Sequence, residues 1–401
     1  MKRLLIIAFL LNAVLYANQI MSPKSYNILM EAQKHIEEDK IKEAQVLLNQ
    51  LLEEDNDYAK SYAYQYLANI SLQDGDYETT KKYYEIIVKF NALEKERIDQ
   101  IKLSLSKIYL SLEEFDKSIT LSSELLKDSK IEKKDIYETF IFAYYYTKKY
   151  KKSIEFAHKF NILETKKKEN IYQILYSSYI ELKDYKNAIV TLKVMTRQWH
   201  DKENYWLQLA SLYQETQQYK KALSTIELSY KEDVLNPKKH TRFYVNLLFQ
   251  NELYQKSALT LENALKKGYI KKDKKMFEML ISSYVNAKEF DKAIEHITHS
   301  KFKEKMKYKE ILANLYYAKH DYKSTIKVLT QKSKHKHKHK KKREKLDPDM
   351  HILLALSYYE LENKKQTKVH LKKAYHSKKK KKRALQLAEA LRIDIKKDKD
   401  L

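Results

Sequence analysis

The sequence predicts an all-α chain, a solenoid of about ten stacked helix hairpins. Three observations predict it: a shortage of turn residues, an abundance of helix formers, and one short pattern repeated along the chain. The 401 residues include two glycines, Gly75 and Gly268, and three prolines, Pro23, Pro237 and Pro348. Folds with many tight turns draw on glycine, which adopts φ > 0 without steric cost. Runs of Leu, Lys, Glu, Ala and Gln fill the remainder, all good helix formers.

The pattern is clearest from Tyr179 to Ala188, where an aromatic, a polar stretch, a second aromatic (Tyr185) and a small residue follow in order. It recurs as Tyr213, Tyr219, Ala222 and as Tyr284, Phe290, Ala293, with weaker copies around Tyr109, Tyr144 and Tyr316. Aligned on the second aromatic, the copies start at Ile41, Tyr77, Phe115, Tyr150, Tyr185, Tyr219, Tyr254, Phe290, Tyr322 and Lys364, with spacings of 36, 38, 35, 35, 34, 35, 36, 32 and 42. The first aromatic ends one helix, polar residues turn the chain, and the second aromatic opens the next helix. The small residue three positions later lets the two helices approach. Between Asn204 and Tyr213 the residues Trp206, Leu207, Leu209, Ala210, Leu212 and Tyr213 make one broad apolar face. A single hairpin cannot bury such a face, and stacking the hairpins does.

This order of large, small and aromatic residues resembles the tetratricopeptide (TPR) repeat from about Tyr26 to Ala374, with the length typical of that family. Glycine is missing from its usual place in the first helix, where Ala68, Ala210, Ala313 and Ala355 stand instead. The resemblance implies a right-handed superhelix with a concave ligand face. A narrower resemblance rests on four blocks: Met21–Gln33, Lys202–Tyr213, Leu265–Ile270 and Leu346–Asp349. Together they resemble exported TPR proteins that accompany TonB–ExbB–ExbD systems, which carry proton-motive energy to outer-membrane receptors. That resemblance implies a periplasmic accessory of TonB-dependent transport, with TonB, ExbB or ExbD among its partners.

The N-terminus fits export. Lys2 and Arg3 precede an apolar run from Leu4 to Leu15, closed by Tyr16 and Ala17. A basic start, a short apolar core and a small residue form the signature of a cleaved secretory signal over residues 1–17. The run is short for a membrane span, and an uncleaved anchor in the inner membrane is the alternative. With no cysteine, disulfides, thiolate metal sites and a lipidated N-terminal cysteine are excluded.

Charge is uneven. The net +25 includes +15 from residues 331–401, where 24 Lys or Arg face 9 Asp or Glu. Residues 18–330 read as about nine hairpins, 331–346 as a Lys/His-rich low-complexity insertion, 347–377 as the last hairpin, and 378–401 as a basic helix or tail. The basic region suits an anionic membrane surface or an acidic protein. Nucleic acid is a poorer match, because no base-stacking module is visible. In the insertion, His335, His337 and His339 alternate with lysines. Imidazoles suit transition metals, but the lysines repel a dication and no carboxylate lies among the histidines. The tract is read as an expanded linker, and no metal site is assigned.

Nothing points to catalysis or to a bound cofactor. Two glycines cannot build a phosphate loop, no His-Glu-x-x-His or Gly-x-Ser-x-Gly pattern occurs, and histidines such as His158, His200 and His240 stand singly. The expected function is binding, as a general cell-envelope scaffold if not a TonB-linked one. The binding face is placed on the first helix of each unit, away from the second-helix layer. It comprises Tyr62, Gln65, Tyr66 and Asn69; Glu138, Phe142, Tyr145 and Tyr146; Gln173 and Ser177; Gln208 and Ser211. Tyrosine supplies contact area at low entropy cost, so an aromatic and amide-rich groove suits an extended peptide or a helix. The Lys/Asn constellation that clamps chaperone-tail carboxylates in some TPR proteins is not reproduced, with only Asn69 and Asn314 at matching places.

Overall fold

A computed structural model describes residues 21–331 and 346–395. The proposed signal at 1–17, nearly all of the Lys/His-rich insertion and the end of the basic tail lie outside the described residues. Contacts divide the chain into two compact units, Met1–Thr216 and Gln217–Leu401. Every described regular element is a helix.

In the first unit the helices are α1 (Pro23–Glu37), α2 (Ile41–Leu52), α3 (Asp57–Gln73), α4 (Tyr77–Phe90), α5 (Lys95–Ser111), α6 (Phe115–Asp128), α7 (Lys133–Tyr146), α8 (Tyr150–Leu163), α9 (Glu169–Glu181), α10 (Tyr185–Gln198) and α11 (Glu203–Glu215). The second unit holds α12 (Tyr219–Lys231), α13 (Pro237–Gln250), α14 (Tyr254–Lys266), α15 (Lys274–Asn286), α16 (Phe290–Thr298), α17 (Met306–Ala318), α18 (Tyr322–Thr330), α19 (Pro348–Glu360), α20 (Lys364–Tyr375) and α21 (Lys381–Ala390). Odd-numbered helices up to α19 are first helices and even-numbered ones second helices. Within each unit, consecutive helices pack, and first helices also meet across repeats, as α1 with α3 and α7 with α9. Each unit is an α-solenoid of stacked helix hairpins.

All ten second helices begin at the residues that the repeat alignment picks out, including the non-aromatic Ile41 and Lys364. The small residue three positions on is fully buried in every copy: Ala44, Thr80, Ser118, Ser153, Ala188, Ala222, Ser257, Ala293, Thr325 and Thr367. Where it is a serine, its hydroxyl often donates to a carbonyl of the partner helix. Ser118 Oγ reaches Ser106 O and Ser153 Oγ reaches Ile141 O, each at 2.8 Å. Ala68, Ala210, Ala313 and Ala355 are equally buried in the first helices. In the hairpins that lie within one unit, small residues on both helices let the backbones close up.

The turns show how the chain does without glycine. Two residues before each second helix the backbone is left-handed, at Asp39, Gly75, Glu113, Lys148, Lys183, Gln217, Glu252, Lys288, His320 and Glu362. Only one of the ten is glycine. The geometry closes helix C-termini: Lys148 N–H donates to Tyr145 O at 2.9 Å and Lys149 N–H to Tyr144 O at 2.8 Å. This pair of bonds satisfies carbonyls that the helix end leaves orphaned. Aspartates cap three of the following helices: Asp76, Asp184 and Asp321 accept from the N–H groups of Thr79, Asn187 and Ser324 at 3.0, 3.1 and 3.0 Å.

The proposed basic C-terminal segment divides. Its helical part, α21, packs on the last hairpin, burying Ala384 and Ala388 near Ala355 and Ala374. Its lysines face outward. It covers apolar surface of the last hairpin that would otherwise be open to solvent.

Candidate protein-binding face

The face of the first helices in the first unit is knitted together by polar bonds that span about one repeat. Tyr66 Oη on α3 donates to Gln33 Oε1 on α1 at 3.0 Å. Arg97 Nη1 on α5 donates to Gln65 Oε1 on α3 at 3.1 Å. Lys168 Nζ, just before α9, donates to Glu138 on α7 at 2.9 Å. Gln173 Nε2 on α9 donates to Tyr205 Oη on α11 at 2.7 Å. Each bond fixes the register of one first helix against the next.

Two predicted groove residues are core. Tyr62 and Tyr66 are only 3% and 9% exposed. Tyr62 lies edge-on to Tyr58, with ring centroids 5.1 Å apart, and beneath the Arg97 guanidinium, 4.8 Å from its ring centre. Burial raises the Tyr66 hydroxyl above the usual phenol range. Helix α3 packs against α1, α2 and α4, so buried residues surround nearly its whole circumference. A rule that assigns one solvent face per first helix fails there. Gln65 and Asn69 are half-buried on the same helix, with Gln65 engaged by Arg97.

The fourth-repeat residues behave differently. Tyr146 is 55% exposed and stacks on Phe115, centroids 5.2 Å apart and planes 14° apart. Tyr145 meets Tyr146 edge-on at 5.4 Å and Tyr150 at 5.7 Å. The four rings form a continuous aromatic surface at the turn end of α7. Phe142 and Glu138 are half-buried on the same helix. Phe115 and Tyr150 escaped the sequence reading because they were assigned only to open second helices.

Gln173 and Ser211 are exposed, and Ser177 and Gln208 half-buried. The buried Gln208 Oε1 lacks a hydrogen-bond partner. Around Gln173 lies an open cleft of about 620 Å3, lined by Glu164, Lys166, Lys167, Lys168, Glu169, Asn170, Gln173 and Lys202. Lys202 Nζ donates to Glu169 Oε1 at 2.6 Å, and Tyr205 Oη donates to the same carboxylate. The Lys202 bond, then the Tyr205 bond, hold the Glu169 carboxyl below its usual range. Burial, reinforced by the Glu169 contact, pushes the Tyr205 hydroxyl up to about 12. The sequence signal for these contacts was available: complementary polar residues one repeat apart.

The structure thus brings Tyr145 and Tyr146 into one aromatic cluster and Gln173 into one cleft, and it removes Tyr62 and Tyr66 from the surface. Among the described residues no group of three or more His, Asp or Glu is placed to hold a metal. No described helix is long and apolar enough to cross a membrane.

No protein-family model matches the chain, and no curated protein matches it. Similar solved structures are helical-repeat proteins. A tetratricopeptide repeat protein from Parabacteroides merdae is 10% identical, over 83% of this chain and 98% of that one, with a TM-score of 0.34. The C-terminal part of a TPR protein from Cytophaga hutchinsonii is 12% identical, over 71% and 98%, with a TM-score of 0.36. A MamA structure is 15% identical, over 43% and 97%, with a TM-score of 0.37. Identities this low and superpositions this partial say nothing about ligands or partners.

Proposed function

We propose that this chain is a protein-binding scaffold of the bacterial envelope, and that it serves TonB-dependent energy transduction from the periplasm. The scaffold reading is supported chiefly by the first unit, where a partly exposed aromatic cluster led by Tyr146 and an open charged cleft lie on a frame whose register is fixed by bonds between repeats. Such a frame holds side chains rigidly along an extended face, which lowers the ordering cost of binding a peptide or helix. Aromatic anchors on a fixed frame are typical of binding hot spots.

The narrower reading is supported by the four sequence blocks. Several of their residues also have structural tasks. Ser22 caps α1, accepting from Ser25 N–H at 3.0 Å, and Pro23 follows at the first helical position. Asp347 and Pro348 do the same for α19. Trp206 Nε1 donates to His200 O at 2.8 Å. The apolar N-terminal run supplies the export expectation.

Crosslinking in intact bacterial cells that express a tagged copy, followed by identification of what co-purifies, tests this reading. Recovery of TonB, ExbB or ExbD is the expected result. Recovery only of other envelope proteins would leave the scaffold and discard the TonB link. Fractionation of the same cells tests location, and a cytoplasmic pool alone would contradict export.

A further inference from the structure

We propose that the cleft at the start of α9 and α11 takes a partner segment bearing carboxylates beside an apolar side chain. This rests on the protein-binding reading and assigns the partner's chemistry at one place. Both carboxylates lining the cleft already have cationic partners. Glu164 faces Lys134 at 3.8 Å and Glu169 faces Lys202 at 2.6 Å. Lys168 is held by Glu138 at 2.9 Å. Lys166 and Lys167 are exposed on the rim, and no described carboxylate pairs with either ammonium group.

The remaining polar groups point the same way. The Asn170 side-chain oxygen is occupied by Ile171 N–H at 2.9 Å, so its amide group offers donors. Helix α9 begins at Glu169 with no side chain capping its first turn. The cleft therefore offers two uncompensated positive charges and several N–H donors, with its own negative charges neutralised. A carboxylate-bearing ligand complements that set.

A separate observation supplies the apolar requirement. Ile162 is 81% exposed and Leu163 49% exposed, immediately before Glu164. Ile162 exposes a larger fraction of itself than any other large apolar side chain described. Ile162 and Leu163 place exposed apolar surface directly next in the chain to Glu164, which lines the cleft. An acidic segment in the cleft brings its neighbouring residues over these two side chains.

The test is fluorescence anisotropy on the whole protein at about 150 mM salt. The probe is a labelled peptide of alternating Asp, Glu, Leu and Phe, and its control has Asn and Gln replacing the acids. The double variant K166E/K167E sits in an exposed link, and circular dichroism checks that it folds. It is expected to weaken the acidic probe about tenfold or more. A matched variant in the other unit, K378E/K379E, is expected to change it less than about twofold. Ile162→Ser is expected to weaken the Leu/Phe probe but not an acidic probe lacking them. Equal losses from the two lysine pairs would overturn the inference, because unspecific attraction to a basic protein would then explain the binding. Equal binding of the neutral peptide would overturn it while leaving the scaffold reading intact. Binding of neither peptide would overturn it too, and the crosslinking experiment would judge the scaffold separately.

Discussion

Ten small side chains hold the repeat position, and in the hairpins that lie within one unit they set how closely the two helices approach. All ten are fully buried, and the choice among Ala, Ser and Thr is secondary to their size. Ala188→Leu is therefore expected to destabilise the first unit by about 1–3 kcal/mol through overpacking. Ser153→Ala loses one hydrogen bond and is expected to cost about 1 kcal/mol or less. Urea unfolding of both variants checks the ordering, and a larger loss from Ser153→Ala would be contrary to it. A second residue-scale feature lies in the last hairpin. His370 Nδ1 sits 3.1 Å from His351 Nδ1, and the His370 ring stacks on Tyr358. Burial, with His351 and Lys373 adding to it, pushes His370 down to about 4 from an ordinary value of 6.5. His351 is also lowered, by burial and Lys373 against the opposing pull of Asp347. The folded state thus binds fewer protons than the unfolded state. The stability this contributes is complete above pH 6.5 and is lost as pH falls from 6.5 towards 4. The protection of α19 and α20 amides against exchange, corrected for the intrinsic slowing of exchange in acid, should fall over that window, and His370→Leu should flatten the response. Unchanged protection in the native protein across the window would refute the assignment.

At the scale of elements, the turns hold backbone strain that the sequence conceals. A left-handed non-glycine residue costs about 1–2 kcal/mol relative to the right-handed region. Nine such residues precede second helices. Lys148→Gly and Glu113→Gly should relieve this cost, offset in part by the greater freedom glycine gives the unfolded chain. A net gain of a few tenths to about 1 kcal/mol is expected, read as a higher melting temperature. The converse is Gly75→Ala. At φ +78° a Cβ there would meet nothing within 4 Å, so its destabilisation would report backbone strain alone. A lower melting temperature for Lys148→Gly would contradict the account. These elements also show what was legible. The helix starts were, because an aromatic and a small residue three positions apart mark every hairpin that has both, and the period carries Ile41 and Lys364. The turn conformation was not, because Asp, Glu, Lys, Gln and His occupy it in place of glycine.

At the scale of the molecule, a one-dimensional array makes contacts between neighbouring repeats, and its long faces are its main asset. The architecture was readable because it follows from a period. The binding face was only partly readable, because neighbouring first helices compete for the same side chains. Tyr62 and Tyr66 went into the core, Gln65 and Gln173 into bonds between repeats, and Tyr146 remained at the surface. A face identified by position within one repeat thus needs correction by the next repeat, and the signal for that correction is polar complementarity about one period apart. The central claim is that the first-helix side of the first unit meets a protein partner. The most direct measurement installs a photo-crosslinking amino acid in cells at Tyr146 or Gln173, and at Val190, an exposed second-helix position. The account predicts one and the same captured protein from the first two positions and none from Val190. Capture from Val190 alone, or from none of the three, would contradict it.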